Sequence, residues 1–299
     1  MDPSEPLSTR ISANPASTHH QLQSPLFSTL YPELRNLIFE YALTEYDDLT
    51  RPYDKDSFYY RPGFEFASKI DTSLLITCRL VYLETHLAPV SLNEHVFWMY
   101  RAPPERKHAS DCNAYFARLT VQQRGAVKRV RFFAQMFWLE GLRHQQWPEG
   151  LAIPRLTITI RHTDWPNWET GAALRMAAPD AKGGDCWGRW VASVPRLCML
   201  ELELESIEEK AEQFAERVRV AAGWKFAMSG EYSLVCGEQP ARATWMGTAS
   251  HAAVKRRRQL QSRGTWPLDL KMNVRKLKFV LQFTGSNYRP VYLPPAPSQ

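Results

Sequence analysis

The sequence lacks the features of a membrane, secreted or disulfide-stabilised protein. No apolar run in its 299 residues approaches the roughly 18 residues that span a bilayer. The first 24 residues are rich in Ser, Pro and His and contain no apolar core of the kind found in signal peptides. We therefore predict no membrane association and a cytoplasmic or nuclear location.

Cysteine is scarce as well. The five cysteines are odd in number, widely spaced and without a C-x-x-C pair. This distribution predicts reduced thiols and argues against both a disulfide framework and a zinc site. The residues concerned are Cys78, Cys112, Cys186, Cys198 and Cys236.

Catalytic motifs are also missing. There is no Gly-x-Ser-x-Gly nucleophile and no phosphate-binding loop. Only residues 161–165, with His162 and Asp164, contain the parts of an acid–base site, which needs a base and a partner that orients it. A His beside an Asp at the end of a strand is more often a structural pair. We therefore predict a non-enzymatic protein without metal or cofactor, and keep an enzyme around His162 and Asp164 as a distant alternative.

The composition predicts a globular protein with one strongly basic segment. Hydrophobic residues make up 44% and aromatic residues 12% of the chain, enough for a substantial core. Residues 251–278 hold nine basic residues and one acidic residue, so the net charge of this stretch is +8. The net charge of the whole chain is +6. The rest of the chain is therefore close to −2 and should not attract nucleic acid as a whole.

The basic stretch has several interpretations. Its run at 255–258 could be a nuclear-import signal, a phosphate contact or an ordinary solvated surface. The nearest aromatic residues, Trp245 and Trp266, lie outside that run, which argues against stacking with nucleic-acid bases. Candidate residues of a client or nucleic-acid surface are Lys255, Arg256, Arg257, Arg258, Lys276 and Lys278.

The N-terminal part predicts helices. Leu34, Leu37, Ile38 and Tyr41 have the i, i+3, i+4, i+7 spacing of a helix, which we place at about 32–43. A second amphipathic helix is expected from Leu74 to near Pro89. Between these helices, residues 44–70 show no sustained period and predict a long loop or a small hairpin.

Farther along the chain one pattern occurs four times: apolar, two residues, apolar, one residue, apolar. It predicts four related strands, at Val127-Val130-Phe132, Ile153-Leu156-Ile158, Val194-Leu197-Met199 and Val274-Leu277-Phe279. Helical segments lie between them, at 111–123, 187–193 and 207–222. This alternation predicts an α/β or α+β fold with a parallel or mixed sheet and helices over one face. The pattern is also typical of leucine-rich-repeat strands, although the starts are 26, 41 and 80 residues apart.

These features divide the chain into regions. The predicted regions are a disordered tail at 1–24, a helical module at 25–104 with a loop insertion at 44–70, a sheet domain at 105–285 with a flexible basic insertion at 237–264, and a Pro-rich tail at 286–299.

Charged residues alternate with apolar ones along three predicted strands. Glu201, Glu203 and Glu205 alternate with leucines, and Lys276 and Lys278 alternate with Leu and Phe. The residues at 129 and 131, both Arg, flank a valine in the same way. If these strands are neighbours, we expect a ladder of cross-strand ion pairs. The alternative is that this face binds a charged client peptide.

Residues 30–41 resemble the first helix of an F-box, and residues 74–82 and 96–98 resemble the rest of that module. F-boxes are short helical modules by which substrate receptors dock onto the small adaptor subunit of cullin-type ubiquitin ligases. The combination of residues 30–36, 74–79, 93–98 and 158–165 is also similar to a large set of uncharacterised fungal proteins with an F-box-like start. That similarity extends to about residue 285.

The resemblance implies a fold and a partner. The fold would be a set of F-box-like helices packed on a degenerate leucine-rich-repeat-like domain of strands and helices. Leu30, Pro32, Leu34 and Ile38 would face the adaptor, and the alternative is that they form core. We therefore expect a protein-interaction module that docks an adaptor and holds an unknown protein client. A nuclear protein associated with nucleic acid through residues 251–278 is the second hypothesis.

Overall fold

The computed structural model describes residues 6–14, 18–104, 112–142, 146–180, 186–248 and 269–284. The basic run at 255–258 and the Pro-rich tail lie outside the described residues. The helices are α1 (Leu7–Ser12), α2 (Pro25–Ser28), α3 (Pro32–Leu43), α4 (Arg79–Thr85), α5 (Ala88–Leu92), α6 (Cys112–Ala117), α7 (Val121–Ala126), α8 (Met136–Glu140), α9 (Trp187–Ser193) and α10 (Ala211–Ala222).

The strands of the described chain lie between residues 46 and 283. The strands are β1 (Tyr46–Pro52), β2 (Phe66–Lys69), β3 (Glu94–Trp98), β4 (Arg129–Phe133), β5 (Arg155–Ile160), β6 (Met199–Ile207), β7 (Lys225–Ala227), β8 (Tyr232–Cys236), β9 (Ala241–Thr248) and β10 (Asp269–Phe283). Short 3-10 turns are at Ser73–Ile76, His162–Asp164, Trp168–Thr170 and Glu208–Lys210.

Eight strands form one mixed sheet. Strands β3, β4, β5 and β6 are parallel neighbours, and the long strand β10 lies antiparallel beside β6. The other edge of β10 pairs with β9 over its first half and with β8 over its last residues, and β7 follows β8. Strands β1 and β2 form a separate hairpin. The predicted mixed α/β fold is confirmed, and residues 44–70 contain the hairpin rather than only a loop.

The four predicted strands are β4, β5, β6 and β10, which lie next to one another in the sheet. In the three parallel strands the first apolar residue of the pattern precedes the strand and is buried: Val127, Ile153 and Val194. These residues anchor the chain as it enters each strand. The fourth pattern lies inside β10, which runs in the opposite direction. The pattern therefore predicts strands but not their direction.

Helices cover one face of this sheet, as predicted. The apolar residues of that face, such as Phe132, Ile158, Leu202 and Leu277, are fully buried. They belong to the same core cluster as buried residues of α6, α8, α9 and α10. The ring of Trp190 in α9, for example, meets Phe132 edge to face with 5.6 Å between ring centroids.

The prediction of one continuous second helix, from Leu74 to near Pro89, is wrong. The chain forms a 3-10 turn at Ser73–Ile76, then α4, then α5. Cys78 caps α4, because its sulfur accepts a hydrogen bond from the Val81 N–H at 3.5 Å. Pro89 does not end a helix; it lies in the first turn of α5, where the missing N–H costs no hydrogen bond.

The structure also differs from the predicted regions at three places. Residues 7–12, within the expected disordered tail, form α1 and bury Ile11. Strand β3 comes from the predicted helical module but is the edge strand of the large sheet. Residues 241–248, within the expected flexible insertion, form β9. Residues 7–12 and 241–248 contain few large apolar residues, whereas β3 has an apolar run whose place in the large sheet depends on contacts with β4.

Asn93 connects the end of α3 to α5 and to the hairpin. Its side-chain N–H groups donate to the carbonyl oxygens of Leu43 at 2.9 Å and Pro89 at 2.8 Å. Its oxygen accepts a hydrogen bond from the Glu45 N–H at 2.6 Å. Helix ends leave carbonyl groups without intrahelical partners, and Asn93 satisfies one of them at the end of α3.

We expect Asn93→Ala to destabilise the protein by about 2–3 kcal/mol, because it leaves partly buried backbone groups without hydrogen bonds. Urea unfolding followed by circular dichroism measures this change. The exposed Asn36 in α3 provides the control, and Asn36→Ala should stay within about 0.5 kcal/mol of wild type. An unchanged unfolding midpoint for Asn93→Ala would contradict this role.

His95 in β3 is a buried and neutral histidine. Its Nε2 lies 3.0 Å from the carbonyl oxygen of Val90, which can only accept, so Nε2 carries the proton. Its Nδ1 then accepts a hydrogen bond from the Tyr115 hydroxyl at 2.8 Å. Burial lowers the pKa of His95 below its usual value, although the Val90 carbonyl and nearby Glu45 and Glu94 oppose this shift.

This lowered pKa predicts a loss of stability in acid. The unfolded chain binds a proton at a pKa near 6.5 while folded His95 does not, so the free energy of unfolding decreases as the pH falls from about 6.5 toward the folded pKa. Urea unfolding at a series of pH values between about 5 and 7.5 should show a smaller pH dependence for His95→Gln than for wild type. The exposed His20 serves as control, and His20→Gln should keep the wild-type dependence. Equal slopes for all three proteins would refute the assignment.

Candidate interaction site

Helix α3 has two opposite apolar sides. One side buries Phe39 and Leu43. With 3.6 residues per turn, the side that carries the predicted i, i+3, i+4, i+7 pattern points the other way. That side is exposed, with exposed fractions of 49% at Leu34, 50% at Leu37, 46% at Ile38 and 85% at Tyr41. The exposed apolar side of α3 is therefore not used by the described fold.

The residues predicted to face a partner lie on or beside this surface. Leu34 and Ile38 are half-exposed, Pro32 is exposed, and Leu30 is partly buried. The alternative interpretation, that these residues simply form core, is wrong for Pro32, Leu34 and Ile38. Sequence spacing could not decide this question, because a covered helix face and an uncovered one have the same periodicity.

Polar contacts hold α3 in place from its other sides. Arg35 forms a two-point ion pair with Glu84 of α4, with Nε–Oε2 at 3.0 Å and Nη2–Oε1 at 3.1 Å. The guanidinium of Arg35 also lies 5.0 Å from the ring centroid of Phe27 in α2. Together with Asn93, these contacts fix the orientation of the helix. The exposed apolar side therefore belongs to a helix whose position is fixed by these contacts.

Part of the predicted ladder of charges is present on the sheet face opposite the helices, where β6 and β10 are neighbours but β5 separates β4 from β6. Strands β6 and β10 place Glu203 opposite Lys276 and Glu201 opposite Lys278. The Lys276 ammonium lies 3.0 Å from the Glu203 carboxylate. Arg131 of β4 pairs with Glu94 of β3 at 2.7 Å. Lys276 and Lys278, predicted as part of a client or nucleic-acid surface, therefore lie on this ladder.

The ladder is more buried than the sequence indicated. Arg61, from the segment between β1 and β2, inserts its guanidinium over the sheet and pairs with Glu203, and lies 3.7 Å from Glu205. Arg131 also approaches Glu203, at 3.7 Å. Burial alone would raise the pKa of Glu203, but the charges of Arg61, Arg131 and Lys276 outweigh it and lower that pKa. Glu203 is therefore ionised and surrounded by three cations.

Aromatic contacts hold the same segment against the sheet. A turn places Arg61 and Phe64 close together, with the Phe64 N–H donating to the Arg61 carbonyl at 2.8 Å. Gly63 in this turn has a φ of +78°, a conformation that favours glycine. The Phe64 ring then meets Phe133 edge to face at 4.9 Å and Trp98 at 5.8 Å.

His162 and Asp164, the distant alternative for an acid–base site and otherwise expected to be a structural pair, do not bind each other; Asp164 binds Arg161 instead. Asp164 is buried and bound at both oxygens by Arg161, with Nε–Oδ2 at 2.6 Å and Nη2–Oδ1 at 2.9 Å. Arg161 further donates to the carbonyl oxygens of Phe58 at 2.9 Å and Tyr100 at 3.1 Å. Asp164 therefore orients Arg161, which in turn connects the loops that contain Phe58 and Tyr100. Asp164 does not orient His162.

Arg61 and Phe64 are the site residues that sequence reasoning did not identify. The Pro-Gly dipeptide at 62–63 is a turn signal and could have indicated a turn at this point. Nothing in the sequence, however, connects Arg61 with Glu203, which lies 142 positions farther along the chain.

In the described ranges, no group of His, Cys, Asp and Glu side chains is arranged to hold a metal ion. Likewise, none of the helices in this part of the chain is long and apolar enough to cross a membrane.

Comparisons with known proteins place no further constraint on the site. No family model matches the chain, and neither a curated protein nor a solved structure is significantly similar to it.

We expect Arg61→Met to destabilise the protein by about 3–5 kcal/mol, because it leaves Glu203 and Glu205 buried with fewer counter-charges. Urea unfolding measures the loss, and limited proteolysis between β1 and β2 should become faster. Lys69→Met, at an exposed residue of the same hairpin, is the matched control and should change neither result. Wild-type behaviour of Arg61→Met would show that the ionic contact does not hold this segment.

Proposed function

We propose that the protein is a non-enzymatic interaction module in which α3 docks a partner protein, as F-box-type substrate receptors dock the adaptor subunit of a cullin ubiquitin ligase. The observation that carries this proposal is the exposed apolar side of α3. Contiguous exposed apolar residues on a soluble protein mark interaction surfaces, whereas scattered single ones do not.

The size of the surface suits a helix-mediated contact. Fully burying one large aliphatic or aromatic side chain is worth about 1.5–3 kcal/mol. The four side chains of the α3 surface begin half-exposed or more, so covering them would supply several kcal/mol toward binding. Because α3 is already folded and held by Arg35 and Asn93, little ordering cost opposes this gain.

The arrangement of the neighbouring helices supports an F-box-like module. Helix α3 packs against α5, and α1 packs against α4. The insertion at 44–70 does not separate these helices, since its hairpin folds back and Arg61 anchors it to the sheet. In this proposal the helices dock the adaptor, while the sheet domain and the hairpin hold a client.

The exposed side of α3 predicts a specific loss of binding. We expect purified adaptor subunit to bind the wild-type protein and to lose this binding when Leu34→Asp and Ile38→Asp are combined, because both charges would be desolvated in the contact. A pull-down with the purified adaptor measures binding, and circular dichroism with urea unfolding checks the fold. Both residues are half-exposed, so we expect the unfolding midpoint to stay near that of wild type.

A matched double variant tests whether added charge alone is responsible. Asn36→Asp with Ala42→Asp introduces the same two charges at exposed positions of α3 outside its apolar side, and should bind as wild type does. If folded wild-type protein does not bind the adaptor, the F-box proposal is refuted. If both double variants lose binding equally, the apolar side is not the contact.

A further inference from the structure

A cleft of about 230 Å³ opens between the β1–β2 hairpin and strand β3. It is smaller than the roughly 300–1,000 Å³ pockets that enclose a drug-sized ligand. Its size therefore suits one side chain better than a whole small molecule. Residues 45–47 and residues from the Arg61-bearing segment line one wall, and Glu94, Val96 and Trp98 of β3 line the other.

The lining combines negative charge with aromatic rings. Three of the lining residues are carboxylates, Glu45, Asp47 and Glu94, and none of the lining residues is basic. Aromatic rings complete the wall, among them Tyr53 and Phe66. A cation gains both from carboxylates and from the negative faces of aromatic rings within about 6 Å. Glu94 already pairs with Arg131 at 2.7 Å. The carboxylates of Glu45 and Asp47, together with the aromatic rings, are therefore the features that favour a cationic group over a neutral or anionic one.

We propose that this cleft binds a lysine or arginine side chain of an extended segment of a client protein. The inference builds on the proposed receptor function and names the chemistry of the client. It does not involve the exposed side of α3, so the two proposals can fail independently.

The contacts around the cleft hold its walls in position before a ligand arrives. Trp98 stacks on Phe133 with 3.8 Å between ring centroids and a 12° interplanar angle. Arg131 binds Glu94 at 2.7 Å from the sheet side. Phe64 packs edge to face on Phe133 and Trp98. A site whose side chains are already ordered loses less entropy on binding.

The position of the cleft beside β3 favours a peptide. In the parallel pair with β4, Phe97 is aligned with Phe132 and the Met99 N–H donates to Phe133. Backbone groups alternate in direction along a parallel strand, so Val96 directs its N–H and carbonyl away from β4, toward the outer edge of β3. Within the described ranges no strand pairs with this outer edge of β3. An extended segment could therefore pair with the edge while its basic side chain enters the cleft.

A fluorescence-anisotropy titration tests this proposal. The probe is a short labelled peptide in which Lys alternates with Val, compared with the same peptide carrying Gln in place of each Lys. We expect the Lys peptide to bind at least about tenfold more tightly than the Gln peptide, with an affinity that decreases as salt is added. No binding of the Lys peptide below about 1 mM, or equal binding of both peptides, would overturn the proposal.

Variants locate the binding. Asp47→Asn and Tyr53→Ala should each weaken binding of the Lys peptide by roughly tenfold, while Asp56→Asn removes a charge from an exposed position of the same segment that does not line the cleft. Asp56→Asn should bind as wild type does; equal losses in all three folded variants would refute the cleft as the site. Leu34→Asp with Ile38→Asp should leave peptide binding unchanged, which separates this result from adaptor docking.

The other basic segment that could occupy the cleft belongs to the chain itself. Replacing residues 255–258 with Gln tests whether this basic run competes with the peptide for the cleft. Unchanged peptide affinity supports a client segment, whereas tighter peptide binding would mean that the chain's own basic run competes for the cleft, and would overturn the proposal.

Discussion

Glu203 is buried on the sheet face opposite the helices, where Arg61, Arg131 and Lys276 surround its carboxylate. Each cation comes from a different part of the chain, so one side chain joins the hairpin segment to three strands. Such a site is costly to desolvate, and removing a partner leaves an uncompensated buried charge. The ion pairs therefore add little to the free energy of unfolding, but they favour one position of the hairpin segment over others.

That position has consequences for both proposed surfaces. With Arg61 in place, Phe64 packs on Trp98 and Phe133, and the hairpin stands beside β3 with the cleft between them. The same fold-back returns the chain to the helices, so α3 and α5 pack directly despite the long insertion. The exposed apolar side of α3 stays uncovered, because the hairpin lies on the sheet rather than on this helix.

The two surfaces differ in chemistry in a way that suits two different partners. The side of α3 formed by Leu34, Leu37, Ile38 and Tyr41 is apolar and convex, whereas the cleft is concave, acidic and aromatic. An apolar helix face gains affinity by excluding water, while an acidic cleft selects charge and responds to salt. In the proposed function, the adaptor would contact the first surface and the client the second.

Local patterns in the sequence determined where many of the helices and strands of this protein lie. Apolar spacing located α3 and the four central strands, and the alternation of Glu203 with leucines indicated two faces of β6, because side-chain direction repeats with the period of each element. Only the tertiary structure decided which faces are covered: Arg61 buries the charged ladder, whereas nothing in the described fold covers Leu34 and Ile38. Coverage depends on segments distant along the chain, and periodicity carries no information about them.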